Sequence, residues 1–417
     1  MIRKNKFIKI STLMTTCIIG MTMNGCSSTS NDISTLDSSN VTLITKVLPY
    51  GEVGYAMVCD FGDTVDASEL KPENFKVEVT IDDKTEERTV TKVYTNDEID
   101  LSEESKEGQY VVIELDIEDE NASTIVFEEE RFLNDRLGTD YTVTQNTDIK
   151  TKNGKTFKSS EDKIKKSNIV TPIVDEFEKL TYKDSSGNTM DYRLFEPKTE
   201  NNEKYPLVLF LHGSGERGSD NEMHMLGNEG ALVWADPKQQ EKNPTYVLAP
   251  QVPAADELTM YWTEEPNYTT MLNLLKETIE KYNIDENRIY VVGMSNGGIG
   301  TWNIIEKNPK LFAAAVPICG IGDINGLDLE SEYIPMTDYS AFKNIKDMPI
   351  WIFHAEDDPL VDVRYSRDAE KAIKELGGTS VKYTEYKEGE VMPMGHFSWV
   401  PALQNQEMID WVFSQSK

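Results

Sequence analysis

From about residue 175 onward, two hydrophobic rhythms alternate along the chain. Runs at 206–211, 246–249, 289–292, 313–316 and 350–353 are almost unbroken in apolar residues. Short solid runs of this kind suit strands covered on both faces, as in a parallel sheet. Between two of them, Met271, Leu274, Leu275, Ile279 and Tyr282 recur at three- and four-residue intervals. That spacing predicts a helix over 268–283 with one apolar face and one charged face. Strand and helix patterns in alternation point to a mostly parallel sheet flanked by helices on both sides. Ahead of it, 178–182 and 190–194 flank a polar turn at 184–188, which predicts an antiparallel hairpin leading into the sheet.

Upstream, the period changes to two. Segments 42–47, 75–80 and 110–115 read as strands at the spacing of a small β-sandwich, with Tyr55, Phe61 and Phe75 available to fill its core. The expected organisation is therefore a sandwich at 41–150, a linker at 151–172 that is rich in Lys, Asn, Ser and Thr near its start, and an α/β domain at 173–417. At the N-terminus, Arg3, Lys4, Lys6 and Lys9 precede an apolar stretch at 10–23 too short to span a bilayer comfortably. Residues 1–26 read as an export signal. Gly25, Cys26, Ser27 and Ser28 resemble a bacterial lipobox, although Met23 and Asn24 depart from its usual residues. Cys26 would carry lipid and 27–40 would form a tether, making the protein a cell-surface lipoprotein; plain secretion is the alternative.

Charge narrows the partners. The chain carries a formal −31, and residues 31–150 hold 30 acidic against 10 basic side chains. Such a surface repels nucleic acid and anionic lipid. The acidic excess reads as solvated surface, since no calcium-loop string accompanies it. Once Cys17 and Cys26 are set aside, Cys59 and Cys319 fall in different domains and suggest no disulfide.

Chemistry enters at Gly293-Met294-Ser295-Asn296-Gly297, placed where a strand runs into a helix. A serine on so sharp a turn is exposed at a helix N-terminus, a position suited to a nucleophile. It needs a base, and with partners following in the order serine, acid, histidine, only His354 and His396 lie downstream. His354 sits in a strand before the acidic cluster and His396 after it, which selects His396. Of Glu356, Asp357, Asp358 and Asp362, Asp358 is preferred as the acid, since Pro359 stiffens its turn. The backbone N–H of Asn296 supplies one oxyanion donor. The second is expected from Ser214, with Gly215 as alternative, in the glycine loop after 206–211. His212 reads as structural. Trp262 and Trp399 are the aromatics expected to line a substrate site, Trp399 alternatively packing under the histidine loop.

Four ordered motifs, 212–218, 249–251, 293–298 and 396–399, resemble the α/β-hydrolase esterases related to polyhydroxybutyrate depolymerases and to the group called predicted peptidases. The resemblance spans roughly 175–417, and one branch of that group carries an N-terminal immunoglobulin-like domain. The family's aspartate motif has glycine where this chain has Ala355, while Asp358 and Val361 keep their places. The resemblance implies an α/β-hydrolase fold and carboxylic ester hydrolysis without cofactor or metal. By analogy, the substrate is a small-molecule or polysaccharide-linked ester, such as an acetyl or feruloyl decoration. A serine peptidase using the same triad and a non-catalytic carbohydrate-binding or adhesion lipoprotein are the alternatives. The segment 321–344 reads as a lid or an insertion.

Overall fold

Eight strands build the sheet that carries the second half of the chain. In order they are Glu178–Lys183, Thr189–Phe195, Tyr246–Gln251, Tyr205–Leu211, Ile284–Met294, Ala314–Ile318, Ile350–Ala355 and Val381–Tyr386. The first two pairings are antiparallel and the rest parallel. The computed structural model describes residues 33–198, 203–254, 261–323 and 333–417. The expected export signal with Cys26 lies outside these, as does 324–332 within the segment expected as a lid or insertion.

The solid apolar runs have the predicted cause. Along Tyr205–Leu211, Val208 and Phe210 enter one core while Leu207, Leu209 and Leu211 enter the other. Ile284–Met294 behaves alike, with Tyr290, Val292 and Met294 on one face and Ile289 and Val291 on the opposite one. Because successive side chains point to opposite faces, a strand covered twice needs an apolar residue at every position. The predicted amphipathic helix occupies Asn267–Lys281 and turns Met271, Leu274 and Leu275 inward.

Upstream, a four-stranded and a five-stranded sheet enclose a core that includes Leu43, Met57, Phe61, Phe75, Val111 and Tyr141. Strands Val41–Leu48, Phe75–Ile81 and Tyr110–Leu115 coincide with the period-two segments. Tyr55 packs instead on the outer cluster of Ile44, Ala56 and Val58.

The stretch 151–172 is not a linker. Thr156–Phe157 pairs with Ile33–Ser34 and Ile149–Lys150, Ile164–Lys165 pairs with Asp140–Gln145, and Asn168–Val170 runs parallel to Val41–Leu48. Ile164–Lys165 and Asn168–Val170 lie at sheet edges, where few apolar residues are needed, while Thr156–Phe157 is the short middle strand of a three-stranded sheet and sends only Phe157 into the core. Residues 33–40, expected in the tether, likewise hold the short strand Ile33–Ser34 and a turn at Ser38–Asn40.

One further hairpin, Ile125–Glu128 with Leu133–Arg136, stands apart from both sandwich sheets. Ile125 and Val47 reach into the core that also holds Val208 and Phe210, so apolar packing is continuous between sandwich and α/β domain.

Candidate active site

Ser295 follows the strand Ile284–Met294 and caps the helix Asn296–Lys307 with φ 55° and ψ −121°. A β-carbon pays for positive φ in steric strain, so this backbone is held by its surroundings. The neighbouring glycines show what holds it. A Cβ on Gly297 would lie 1.9 Å from the Leu211 carbonyl oxygen, and one on Gly293 would lie 2.2 Å from that of Gly297. The Ser295 N–H donates to Ile318 O at 2.9 Å, tying the turn to the next strand.

Three side chains distant in sequence meet here. Ser295 Oγ lies 2.9 Å from His396 Nε2, and His396 Nδ1 lies 2.8 Å from Asp358 Oδ2 and 3.0 Å from Oδ1. An ionised carboxylate only accepts, so Nδ1 carries the hydrogen and Nε2 accepts from the serine hydroxyl. His396 is 5% exposed, in the turn Gly395–Ser398. Asp358 also accepts from the N–H groups of Leu360 and Val361, both at 2.9 Å, and faces His354 Nε2 at 3.1 Å. Burial opposes its ionisation, but the hydrogen bonds from His354 and His396 prevail and hold it well below the usual carboxylate range. The competing acids are engaged elsewhere: Asp357 accepts from Gly389 N, Asp362 pairs with Arg364, and Glu356 faces Arg367.

Facing the serine, Ser214 opens the turn Ser214–Glu216. A Cβ built on Gly213 would sit 3.5 Å from Ser295 Cβ, so this loop borders the place where an attacked carbonyl would lie. Asn296 is the first residue of its helix, at the end carrying partial positive charge. His212 is structural: its Nε2 accepts from Val252 N at 3.1 Å, its Nδ1 donates to Gly213 O at 2.6 Å, and burial lowers its pKa to about 4.

Ser295 and His396 open into a cavity of about 860 Å³ with predominantly apolar walls. Leu360, Met392, Met394, Phe397 and Trp399 line one side. Trp399 lines this cavity, and its ring also stands perpendicular to His396 with centroids 5.5 Å apart. Trp262 is a correction: 1% exposed, it donates Nε1–H to His212 O at 2.9 Å and packs under the glycine loop, outside the cavity lining. Its size suits it to fill the space left by Gly300, whose absent side chain would meet Trp262 Cβ at 2.5 Å.

The opposite wall comes from the N-terminal domain, as Tyr50 between its strands Val41–Leu48 and Gly51–Asp60 and Phe127, Phe132 and Asn134 of the separate hairpin. The Arg217 guanidinium joins the two walls, donating to Ser214 O at 2.6 Å, Arg131 O at 2.8 Å and Phe132 O at 3.0 Å. Tyr50 donates its hydroxyl to Met392 O at 2.7 Å. Sequence reasoning did not reach these wall residues. The one available signal was Phe127 and Phe132 bracketing an acidic tip, which by itself only marks a hairpin.

Comparison with known proteins bears on the whole assembly. Residues 40–158 match the esterase Ig-like N-terminal domain, and 263–349 match the prolyl oligopeptidase family. A crystal structure of a thermostable esterase is 42% identical, with a TM-score of 0.82 over 91% of this chain and 100% of that one. The chain belongs to this family of esterases with an immunoglobulin-like N-terminal domain. The esterase is thus a serine hydrolase of the α/β-hydrolase fold, as its motifs implied. More distant are a ferulic acid esterase of Anaeromyces mucronatus, 16% identical with TM-score 0.44 over 55% of this chain and 89% of that one, and FphF of Staphylococcus aureus, a fluorophosphonate-binding serine hydrolase, 13% identical with TM-score 0.43 over 57% and 98%. No curated protein sequence matches this esterase.

Proposed function

We propose that this esterase cleaves carboxylic esters outside the cell through an acyl-enzyme on Ser295. The observation that carries the reading is the hydrogen-bonded chain from Ser295 Oγ through His396 to Asp358, opening into an apolar cavity. Ser295 attacks the ester carbonyl while His396 Nε2 takes the hydroxyl proton. The carbonyl oxygen gains negative charge and accepts from the N–H groups of Ser214 and Asn296. Collapse expels the alcohol, which receives the proton from His396. Water then attacks the acyl-serine with His396 again as base, and collapse breaks the bond to Ser295 Oγ, which takes the proton back from His396 as the carboxylic acid leaves. Asp358 stays ionised throughout, holding the Nδ1–H tautomer and stabilising the imidazolium.

The proposed substrates are acyl or aromatic decorations on plant polysaccharides. Aromatic and thioether side chains around the cavity favour a feruloyl group over acetyl, because a small acyl group leaves that apolar surface wet. Export and anchoring through Cys26 rest on the basic start, apolar stretch and lipobox-like residues of the sequence alone. The chain's −31 supports the absence of nucleic-acid partners.

Hydrolysis of p-nitrophenyl butyrate tests the chemistry. Ser295→Ala and His396→Ala should each lower kcat at least about a thousandfold, because the residues act as a unit. Wild-type turnover in both would end the reading. Comparing kcat/KM for methyl ferulate and methyl acetate then tests the substrate class, and a preference for acetate would overturn the aromatic assignment. Matched ester and amide substrates separate esterase from peptidase.

A further inference from the structure

Asp358 has two imidazole partners, and the proposed reaction uses only one. The second, His354, ends the apolar run of the strand Ile350–Ala355 with its side chain fully buried. His354 Nε2 lies 2.9 Å from Val361 O and 3.1 Å from Asp358 Oδ2. A carbonyl oxygen can only accept, so Nε2 bears the hydrogen and shares it between the two oxygens. His354 Nδ1 lies 2.7 Å from Ser366 Oγ and accepts its hydrogen when the ring is neutral. Both ring nitrogens are thereby fixed, one by the helix Arg364–Glu375 and one by the turn that carries Asp358.

We infer that His354 is a positioning residue: its Nε2–H pins the Asp358 carboxylate opposite His396 Nδ1 and shares the negative charge that the imidazole would otherwise face alone. Oδ2 receives hydrogens from both imidazoles, while Oδ1 takes the Leu360 and Val361 N–H groups. The carboxylate therefore cannot swing toward either ring without breaking contacts to the other. Hydrogen bonds from His354 and His396 outweigh the burial that would protonate Asp358, so it orients His396 without competing for its proton.

Other titratable groups around Asp358 and His354 are held by neutrality or by their own partners, and Glu216, which burial raises to about 7 beside His396, is present in every variant, so each acid limb is read as a shift from wild type. The Cys319 thiol, beyond the end of strand Ala314–Ile318, is pushed well up by burial and stays neutral. Asp362 pairs with Arg364, and Glu385, across the neighbouring strand from His354, pairs with Arg367. The inference rests on the acyl-transfer reading of Ser295, His396 and Asp358, and its test separates the two.

The test compares wild type, His354→Leu, His354→Gln and Ser295→Ala in the pH dependence of kcat/KM for p-nitrophenyl butyrate, with thermal melting alongside. His354→Leu removes one hydrogen from Asp358. The carboxylate stays ionised, and with less of its charge shared it favours a charged His396 more strongly, which moves the acid limb upward. A shift of about one pH unit is expected from the loss of one charge-assisted hydrogen bond. The Gln amide can return an N–H near the Nε2 position, so His354→Gln should restore the wild-type limb. If the leucine variant does not fold, His354→Asn, whose shorter amide stops short of Oδ2, should show the same upward shift. An acid limb unmoved in the folded leucine or asparagine variant, or failure of both to fold, overturns the positioning role. Wild-type turnover in Ser295→Ala would instead remove the acyl-transfer reading beneath it.

Discussion

Glu216 is a buried carboxyl beside the nucleophile that ester cleavage leaves unused. Its Oε2 would lie 3.1 Å from a Cβ on Gly213, the glycine that also borders Ser295, and its Oε1 is 3.4 Å from Asn134 Nδ2. Burial raises its pKa to about 7, against weaker opposing pulls from Asn228, the backbone N–H groups of Glu216 and Gly213, and His396. A carboxyl whose folded pKa is raised favours folding below its unfolded value near 4.5 and loses that contribution as pH climbs through about 7. Glu216→Gln should therefore match wild type in stability near pH 4 and exceed it at pH 8 by up to about 3 kcal/mol. Denaturant unfolding at the two pH values checks this, and an equal difference at both would refute the burial argument. Glu216 stood in the sequence only as one position of the 212–218 motif, with nothing to mark its burial or pKa, whereas Ser295, Asp358 and His396 could be singled out. The ordering rule admitted two histidines and a short acidic cluster; position after that cluster selected His396, and the following proline selected Asp358. Trp262 failed because proximity in sequence to a substrate loop does not say which side of that loop a ring occupies.

The hairpin Ile125–Glu128 and Leu133–Arg136 shows the same limit one level up. Hydrolase strands were legible because burial on both faces forces solid apolar runs. This hairpin packs against another domain through Ile125 and leaves Phe127 44% exposed, so it has neither a solid run nor a clean alternation. Strands of two or three residues within 151–172 escaped for a related reason, since they are too short to show a hydrophobic period and pair mainly through backbone. Position gives the hairpin its importance. Through Arg217, its carbonyls at Arg131 and Phe132 share one guanidinium with the Ser214 carbonyl beside the proposed oxyanion site. Arg217→Gln cannot span three acceptors and should lower kcat/KM for p-nitrophenyl butyrate by about tenfold or more, because small displacements of oxyanion donors are felt directly in rate. Phe127→Ala should act differently, raising KM for aromatic esters several-fold while leaving kcat for acetate esters nearly unchanged. If Arg217→Gln moved neither constant, the hairpin would be a passive wall.

Over the whole molecule, charge and burial pull in opposite directions at the domain junction. The surface is strongly acidic, with a formal −31 that repels itself in the folded state. Yet one acidic residue is entirely buried where sandwich and α/β domain meet. Glu52, 0% exposed, accepts from Thr45 Oγ1 at 2.8 Å, Thr124 Oγ1 at 2.5 Å and Thr171 Oγ1 at 3.3 Å, and pairs with Arg136 at 2.5 Å. Arg136 reaches onward to Glu222 of the α/β domain at 3.3 Å, so one arginine bridges both domains and anchors the end of the hairpin. The two electrostatic effects should separate under salt. Raising NaCl from about 0.02 to 0.5 M shortens the Debye length several-fold and should raise Tm, since it screens exposed like charges. Glu52→Ala should lower stability by about 3 kcal/mol, as its hydroxyl donors and Arg136 lose a buried partner. That loss should persist in high salt, because mobile ions do not reach the Glu52 carboxylate, which is itself fully buried. A Glu52→Ala deficit that disappears in 0.5 M NaCl, on the order of the screening expected for exposed charges, would place this residue's role at the surface and not in the joint between the domains.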